Sequence, residues 1–534
     1  MNIRKDAAVN VALITGITCF LVFLRSVACD FIDYDDARFV IHNSGIRTLD
    51  FQMIITALTH QFSDDYWAPL TWISFAIDYH FWGLNPTGYH LVNIVIHAVN
   101  AGLVVLLADR LLKDRWESPA EGYRYPAMLF FAGLFWAIHP LRVESVTWVS
   151  ERKDVLYGML ALGSILCYLK DAQTEETGSR RYYLLSLILF LLALMAKPTS
   201  VFVPMLLLVA DWYPLCRFHK GRFVKVLAEK VPFFVLAAMT TWLTIFNMSL
   251  TSAPYAYAQF SFSDRLVVSG YSIVEFCRLF FYPIGIHIFN TIAPVLADPV
   301  PAYARTVIVL AVIGFALCIN KRKPSVTAVC LAFLIPLLPT LPFFQVGVDV
   351  AYSPRHSYLP SVVPTIVLVF ILFQVFGKIP GITKRTLAYA LLAAVSISFI
   401  GMTEHLISSW KNAGTVWTRV IELNPVGRAY SYRGLYFMEN RYYSAAADDF
   451  RMAADKAVQA GNPEAFKYVA MSGGAFIKAE LYREAVETFS VAIRLNPRPV
   501  YYYHRGLAQK RLGKLQEAEE DFRSAGQERG EIEY

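Results

Sequence analysis

Apolar residues run in blocks of about 15 to 22, close to the roughly 17 to 25 that a helix needs to cross the hydrocarbon core of a bilayer, with polar residues concentrated in the stretches between them. Such blocks lie at 7–28, 89–109, 126–143, 154–169, 182–196, 199–214, 231–250, 303–320, 325–343, 357–377 and 385–404. The pattern predicts an all-α polytopic membrane bundle of about 11–13 spans over residues 1–405, with a first outward loop at about 29–88. Residues 266–292 are also apolar enough to cross. One crossing there would put Lys321-Arg322-Lys323 on the wrong face, so the segment reads as re-entrant, interfacial or a paired crossing. The first block follows a basic start, as in a signal peptide, but it is long and lacks a convincing small-x-small cleavage site. It reads as a retained anchor.

From 406 to 534 the pattern changes to polar and helical. A register emerges: Gly434, Ala446, Phe450, Ala453; then Gly473, Ala485, Phe489, Ala492, Pro497; then Gly506, Ala518, Phe522, Ala525. The offsets from Gly to Ala to Phe to Ala are the same in all three. This matches the tetratricopeptide (TPR) pattern, in which small residues let paired helices approach and an aromatic fills the gap. Trp417 and Pro425 are spaced like Phe489 and Pro497 and mark a preceding half-repeat. The expected tail is a TPR α-solenoid of about three repeats, which serves either to dock a partner or to cap the membrane domain.

Composition agrees with the pattern: 56% hydrophobic and 17% charged residues, against about 25% charged in a soluble chain. Lys and Arg collect before the first span and after the second, fourth and sixth, then at 321–323 and 378–385, alternating consistently with one set of loops. By the positive-inside rule these loops are cytoplasmic. The loops carrying Asp35, His139, Lys197 and Arg355 therefore share the opposite face. The net charge of +7 is accounted for by the basic loops, and no basic-aromatic surface suggests nucleic acid. The seven cysteines fall in or beside spans, so no disulfide framework is visible.

The opposite face concentrates chemistry. His139-Pro-Leu-Arg-Val-Glu-Ser-Val-Thr-Trp-Val-Ser-Glu-Arg-Lys-Asp154 crowds six Arg, Lys, Asp and Glu side chains between two apolar segments. Such groups at a membrane boundary tend to pair or to line a polar cavity, although a solvated loop with snorkelling side chains would read the same way. Arg152 and Lys153 are cations of the kind that grip phosphate, and Lys197 and Arg355 add two more. Asp33, Asp35 and Asp36 follow the first span, where a carboxylate could act as general base on a hydroxyl. His60, Trp67, His90, Asn93 and His97 come next. The last three share one helical face and read as a polar interhelical seam more readily than as a metal site.

These residues carry a family resemblance. The chain resembles the GT-C membrane glycosyltransferases, most closely the transmembrane and TPR-containing protein O-mannosyltransferases and their bacterial relatives. The shared features are Asp33-Tyr-Asp-Asp, Trp67-Ala-Pro-Leu-Thr, Gly83-Leu-Asn-Pro, the His139–Asp154 string, Lys197-Pro, Asp211-Trp-Tyr-Pro, Arg355 with Tyr358-Leu-Pro, and the tail. The chain departs at Ala68, where a larger polar residue is common, and at Pro354 and His356, which flank Arg355 where Asp and Tyr are usual.

The resemblance implies transfer of a monosaccharide from a polyprenyl-phosphate carrier to Ser or Thr of exported proteins, with inversion. It implies Asp35, or else Asp36, as base. His139, Glu144, Arg152, Lys153, Lys197 and Arg355 would hold the donor and its lipid phosphate. Asp33, His60, Trp67, His90 and Tyr358 would contact the acceptor or line the pocket. The sequence names no certain cofactor, and the outward carboxylates could hold a divalent metal. The expected setting is a bacterial inner membrane with the tail in the periplasm. A transferase acting on lipid or polysaccharide, and a non-catalytic TPR scaffold, are the alternatives.

Overall fold

The computed structural model describes residues 2–59, 67–116, 122–174, 180–219, 221–250, 260–343, 350–378, 382–526, 530 and 532. His60 lies outside them. Contacts divide the chain into two compact units, one of Met1–Phe31 with Asp35–Ser408, the other of Ile32–Tyr34 with Ser409–Tyr534.

The first unit is helical almost throughout: α1 (Asn2–Phe23), α2 (Phe51–Thr59), α3 (Pro69–Trp82), α4 (Pro86–Leu112), α5 (Arg124–Ala137), α6 (Val143–Thr147), α7 (Arg152–Gln173), α8 (Arg181–Ala196) and α9 (Val203–Trp212). After these come α10 (Phe223–Ala228), α11 (Val231–Leu250), α12 (Phe262–Phe281), α13 (Ile292–Ala297), α14 (Pro299–Ile319), α15 (Pro324–Leu337), α16 (Val362–Gly377) and α17 (Ile382–Ser408). Among the described residues five helices are long and apolar enough to cross a membrane, or six if the bent pair 124–137 and 140–147 is one span. Four shorter apolar helices accompany them. The protein is an all-α, multi-pass membrane protein.

Helix starts follow local chemistry. Asn85 caps α4 by accepting from the Thr87 N–H, with Pro86 in the first turn, where its missing donor costs nothing. Ser261 and Asp264 form a reciprocal capping box on α12. Within 266–292 that helix ends at Phe281, and the chain then makes a short strand, Asn290–Thr291, antiparallel to Val350–Tyr352.

Helices α1 and α4 lie against each other, as do α4 and α7, α7 and α8, α5 and α16, and α12 and α14. A Cβ on Gly16 would sit 3.0 Å from the Ala98 carbonyl, so the glycine permits the α1–α4 approach. Polar side chains inside the bundle meet facing backbone, as a site without water demands. Asn93 donates to the carbonyls of Val146 and Trp148, both at 3.2 Å. His97 joins the Ala137 carbonyl and the Tyr358 hydroxyl, and Asn100 donates to Val155 O and Tyr358 Oη.

The second unit contains α18 (Ala413–Leu423), α19 (Gly427–Glu439), α20 (Tyr443–Gln459), α21 (Ala465–Lys478), α22 (Tyr482–Leu495), α23 (Pro499–Arg511) and α24 (Leu515–Ala525). Successive helices pack as neighbours. A Cβ on Gly434, Gly473 or Gly506 would stand 2.7–2.8 Å from the ring of Phe450, Phe489 or Phe522 respectively. The repeated glycine is therefore the space into which the repeated aromatic fits. Arg433 forks onto Asp449 at 2.7 and 2.8 Å, and Arg505 onto Asp521 at 2.8 and 2.7 Å. At the corresponding place in the middle hairpin, Ser472 bonds to the Ala447 carbonyl.

Candidate active site

Three proline-directed breaks build the site. The residue before a proline is driven out of the helical region into extended backbone, and His139 (ψ 135°), Lys197 (ψ 117°) and Ser353 (ψ 136°) all obey. Each precedes a short 3-10 turn: Pro140–Arg142, Pro198–Phe202 and Pro354–Ser357. The first turn bends the chain by 52° between α5 and the segment carrying Glu144. The second ends α8, so Lys197 leaves the helix direction, and the Thr71 hydroxyl fixes that end by donating to the Ala196 carbonyl at 2.9 Å. The third presents Arg355.

These turns converge on Glu151, a carboxylate with no exposed surface at the start of α7. Lys153 Nζ lies 3.3 Å from one of its oxygens, Lys197 Nζ 3.8 Å from the other, and Arg355 Nε 3.3 Å from the first. None of these approaches has hydrogen-bond geometry. Both oxygens are buried and accept no hydrogen bond among the described residues. Glu151 is thus a shared counter-ion held by charge alone. It was not among the residues singled out from the sequence, although its place beside Arg152-Lys153-Asp154 carried the signal.

Each cation also has a second anchor. Arg355 Nη1 donates to Glu144 at 2.6 Å, and its backbone N–H donates to the other Glu144 oxygen at 3.2 Å. Ser353 adds a bond to Glu144 at 2.5 Å. Lys197 pairs with Asp154, which also accepts from Ser145 at 3.1 Å. Lys153 lies 4.0 Å from Asp35, whose side chain is 27% exposed. Of the expected residues, Asp35, Glu144, Lys153, Lys197 and Arg355 are therefore brought together. Burial works against the Arg355 charge, but Glu151 and Glu144 more than restore it and its pKa stands above the ordinary guanidinium value. Neighbouring His356 is held well below the usual imidazole value, first by burial and then by the Arg355 and Lys197 charges.

The other expected residues are placed elsewhere. Asp36 is fully buried and accepts from both the N–H (2.8 Å) and hydroxyl of Ser150, fixing the turn before Glu151. Arg152 faces away from the cluster. Its guanidinium donates to Asp78 at 2.6 Å, to the Tyr89 carbonyl at 2.9 Å and to Asn93, tying α7 to α3 and α4. Burial raises the Asp78 pKa, and Arg152 opposes it. His139 uses both ring nitrogens on backbone: the Leu141 N–H donates to Nδ1 at 3.2 Å, and Nε2 meets the Phe280 carbonyl at 3.0 Å. It braces the Pro140 turn.

Tyr358 is buried between His97, Asn100 and Trp136. His90 is buried in α4. Trp67 donates to the Leu58 carbonyl at 2.9 Å. Asp33 clusters with the second unit. Among the described residues no group of three or more His, Cys, Asp or Glu side chains is placed to share a metal ion.

Chemically, the cluster is three cations balanced by the buried carboxylates of Glu144, Glu151 and Asp154, next to a partly exposed carboxylate. Arg, as a fork, and Lys, as point charges, suit phosphate oxygens, and a carboxylate is the type of group that takes a proton from a hydroxyl.

Known proteins agree in kind. Protein O-mannosyl-transferase TMTC2 of Mus musculus is 32% identical over 183 residues, 32% of this chain and 20% of that protein. Protein O-mannosyl-transferase Tmtc1 of Drosophila melanogaster is 32% identical over 191 residues, 34% of this chain and 20% of that protein. Protein O-mannosyl-transferase TMTC4 of Homo sapiens is 27% identical over 484 residues, 79% of this chain and 62% of that protein. The chain spans a fifth of the first two and less than two thirds of the third. No family model and no solved structure matches. The chain's curated homologues are protein O-mannosyl-transferases, the family that the sequence resembles.

Proposed function

We propose that the chain transfers a hexose, mannose or a close relative, from a polyprenyl-phosphate carrier to Ser or Thr hydroxyls of exported proteins, with inversion at the anomeric carbon. The observation that carries this reading is the convergence of Lys153, Lys197 and Arg355 on Glu151, with Asp35 at the rim beside Lys153. The names of the curated relatives supply the acceptor class.

In this reading the donor phosphate enters among the cations and the sugar lies toward Asp35. The Asp35 carboxylate takes the proton of the acceptor hydroxyl as its oxygen attacks the anomeric carbon. The bond from that carbon to the carrier's phosphate oxygen breaks, and its electron pair leaves on the phosphate. Because that leaving group departs as an anion, no second carboxyl is needed to protonate it. Lys153, Lys197 and Arg355 stabilise the charge that grows on it, the kind of preorganised electrostatics that dominates such transfers. Glu144, Asp154 and Asp36 hold these groups in place. The tail, read as a TPR solenoid, docks the acceptor protein, and the setting is an inner membrane with the tail in the periplasm.

The test is transfer in vitro. The purified chain is given a polyprenyl-phosphate hexose and a Ser/Thr-containing peptide, and peptide mass is recorded. A hexose increment that Asp35→Asn reduces by about 10²–10⁴, with donor binding retained, is expected. Equal transfer by wild type and Asp35→Asn would remove the base assignment, and transfer to added lipid or glycan but never to peptide would change the acceptor class.

A further inference from the structure

A cavity of about 530 Å³ opens between α4, α7, α9, α15 and α16. Its volume is in the range of small-molecule sites. Leu107, Leu169, Val209, Ala328, Ile366 and Phe370 are among its walls, and almost all of the lining is apolar. Its few polar groups, including Arg115 and Tyr213, lie at helix ends. The exposed Arg115 guanidinium donates to the Tyr213 hydroxyl at 2.5 Å and lies 4.7 Å from that ring's centroid.

Location decides what fits. Helix α7 starts beside the charged cluster at Arg152 and lines the groove at Ile165 and Leu169, 13 and 17 residues on, which is about 20–25 Å along the axis. The ends that meet at the mouth adjoin loops rich in Lys and Arg, among them Lys113 and Arg115 after α4 and Lys321-Arg322-Lys323 before α15. A lipid with its chain in this groove would place its phosphate at Arg115, whereas a phosphate at Glu151 and Arg355 would lie at the far ends of the same helices. Basic groups at a membrane surface attract anionic headgroups.

We propose that the groove is a binding site for an anionic phospholipid of the leaflet facing the basic loops, with an acyl chain between α7, α15 and α16 and its phosphate on Arg115. The site is separate from the donor cluster and does not depend on the transferase reading.

Native mass spectrometry of the full chain tests it, after delipidation and titration with phosphatidylglycerol or phosphatidylcholine in mixed micelles. Wild type is expected to retain one phosphatidylglycerol per chain and to prefer it over phosphatidylcholine. Arg115→Gln, an exposed change that leaves the fold alone, should weaken phosphatidylglycerol binding about fivefold and erase the preference. Ala328→Trp, which puts an indole into the groove, should abolish retention, and Ala332→Trp repeats the test if the first variant folds poorly. Unchanged occupancy in the folded Trp variant, no headgroup preference in wild type, or displacement of bound phosphatidylglycerol by polyprenyl phosphate would each overturn the proposal.

Discussion

Asp35 and Asp36 are neighbours with opposite surroundings. The Asp35 side chain is 27% exposed and faces Lys153 at 4.0 Å, whereas Asp36 is sealed onto Ser150. Asp36→Ala should therefore cost about 1–3 kcal/mol of stability, the penalty for orphaning buried donors, and lower the yield of folded protein. Asp35→Asn should leave thermal stability in detergent unchanged, and differential scanning fluorimetry distinguishes the two. His356 gives a pH signature. Its ordinary value is 6.5 and its folded value is well below that, so between the two the unfolded chain binds a proton that the folded chain refuses. Stability should fall as pH drops below about 6.5, by up to about 1.4 kcal/mol per unit, and His356→Asn should remove this share of the slope in thermal melts from pH 7.5 to 5.5. The sequence marked the His139–Asp154 string but not which of its cations faces Glu151. Arg152 and Lys153 are adjacent at a helix start, about 100° apart around the axis, and the carboxylate that claims Arg152 is Asp78, 74 positions away. Nothing local announces that partner.

At the scale of elements, the X-Pro breaks are the devices that aim the site, and they are legible because a proline acts on its neighbour whatever the tertiary context. Pro198→Ala would free Lys197 to continue α8. A displacement of about 1 Å at such a group can cost on the order of 10²-fold in rate, so transfer should fall by about that factor while α8 stays helical by circular dichroism. The tail's register was equally readable, because its glycines and aromatics are paired by local packing. Gly473→Leu should push Phe489 out of place, 2.8 Å being too close for any Cβ, and cost about 1–3 kcal/mol. Limited proteolysis of the full chain should then release fragments cut within 409–534 while residues 1–408 resist. Span lengths were less legible. Hydropathy reads apolarity and not where a helix stops, so the segment read as one span at 126–143 is two helices bent at His139-Pro140.

Over the whole molecule, charge is arranged by face and kept in balance. Glu144, Glu151 and Asp154 offset Lys153, Lys197 and Arg355 within one buried group. Removing one member of such a network leaves its partners buried and uncompensated, which costs about 3–5 kcal/mol. Glu151→Gln should therefore lower the melting temperature more than Asp35→Asn does, and fluorimetry on the same preparations reads both. The loops at the other ends of these helices are rich in Lys and Arg, the pattern from which the sequence predicts the orientation. The alternation was readable from the sequence, but the convergence on Glu151 was not, because it joins 151, 197 and 355 through turns whose meeting no periodicity encodes.

The most direct test is intact-mass analysis of exported proteins from cells carrying the wild-type chain, a deletion, or Asp35→Asn confirmed to insert normally. A hexose-sized increment present with wild type and absent from both altered strains is the predicted result. An increment lost on deletion but retained with Asp35→Asn would contradict the account.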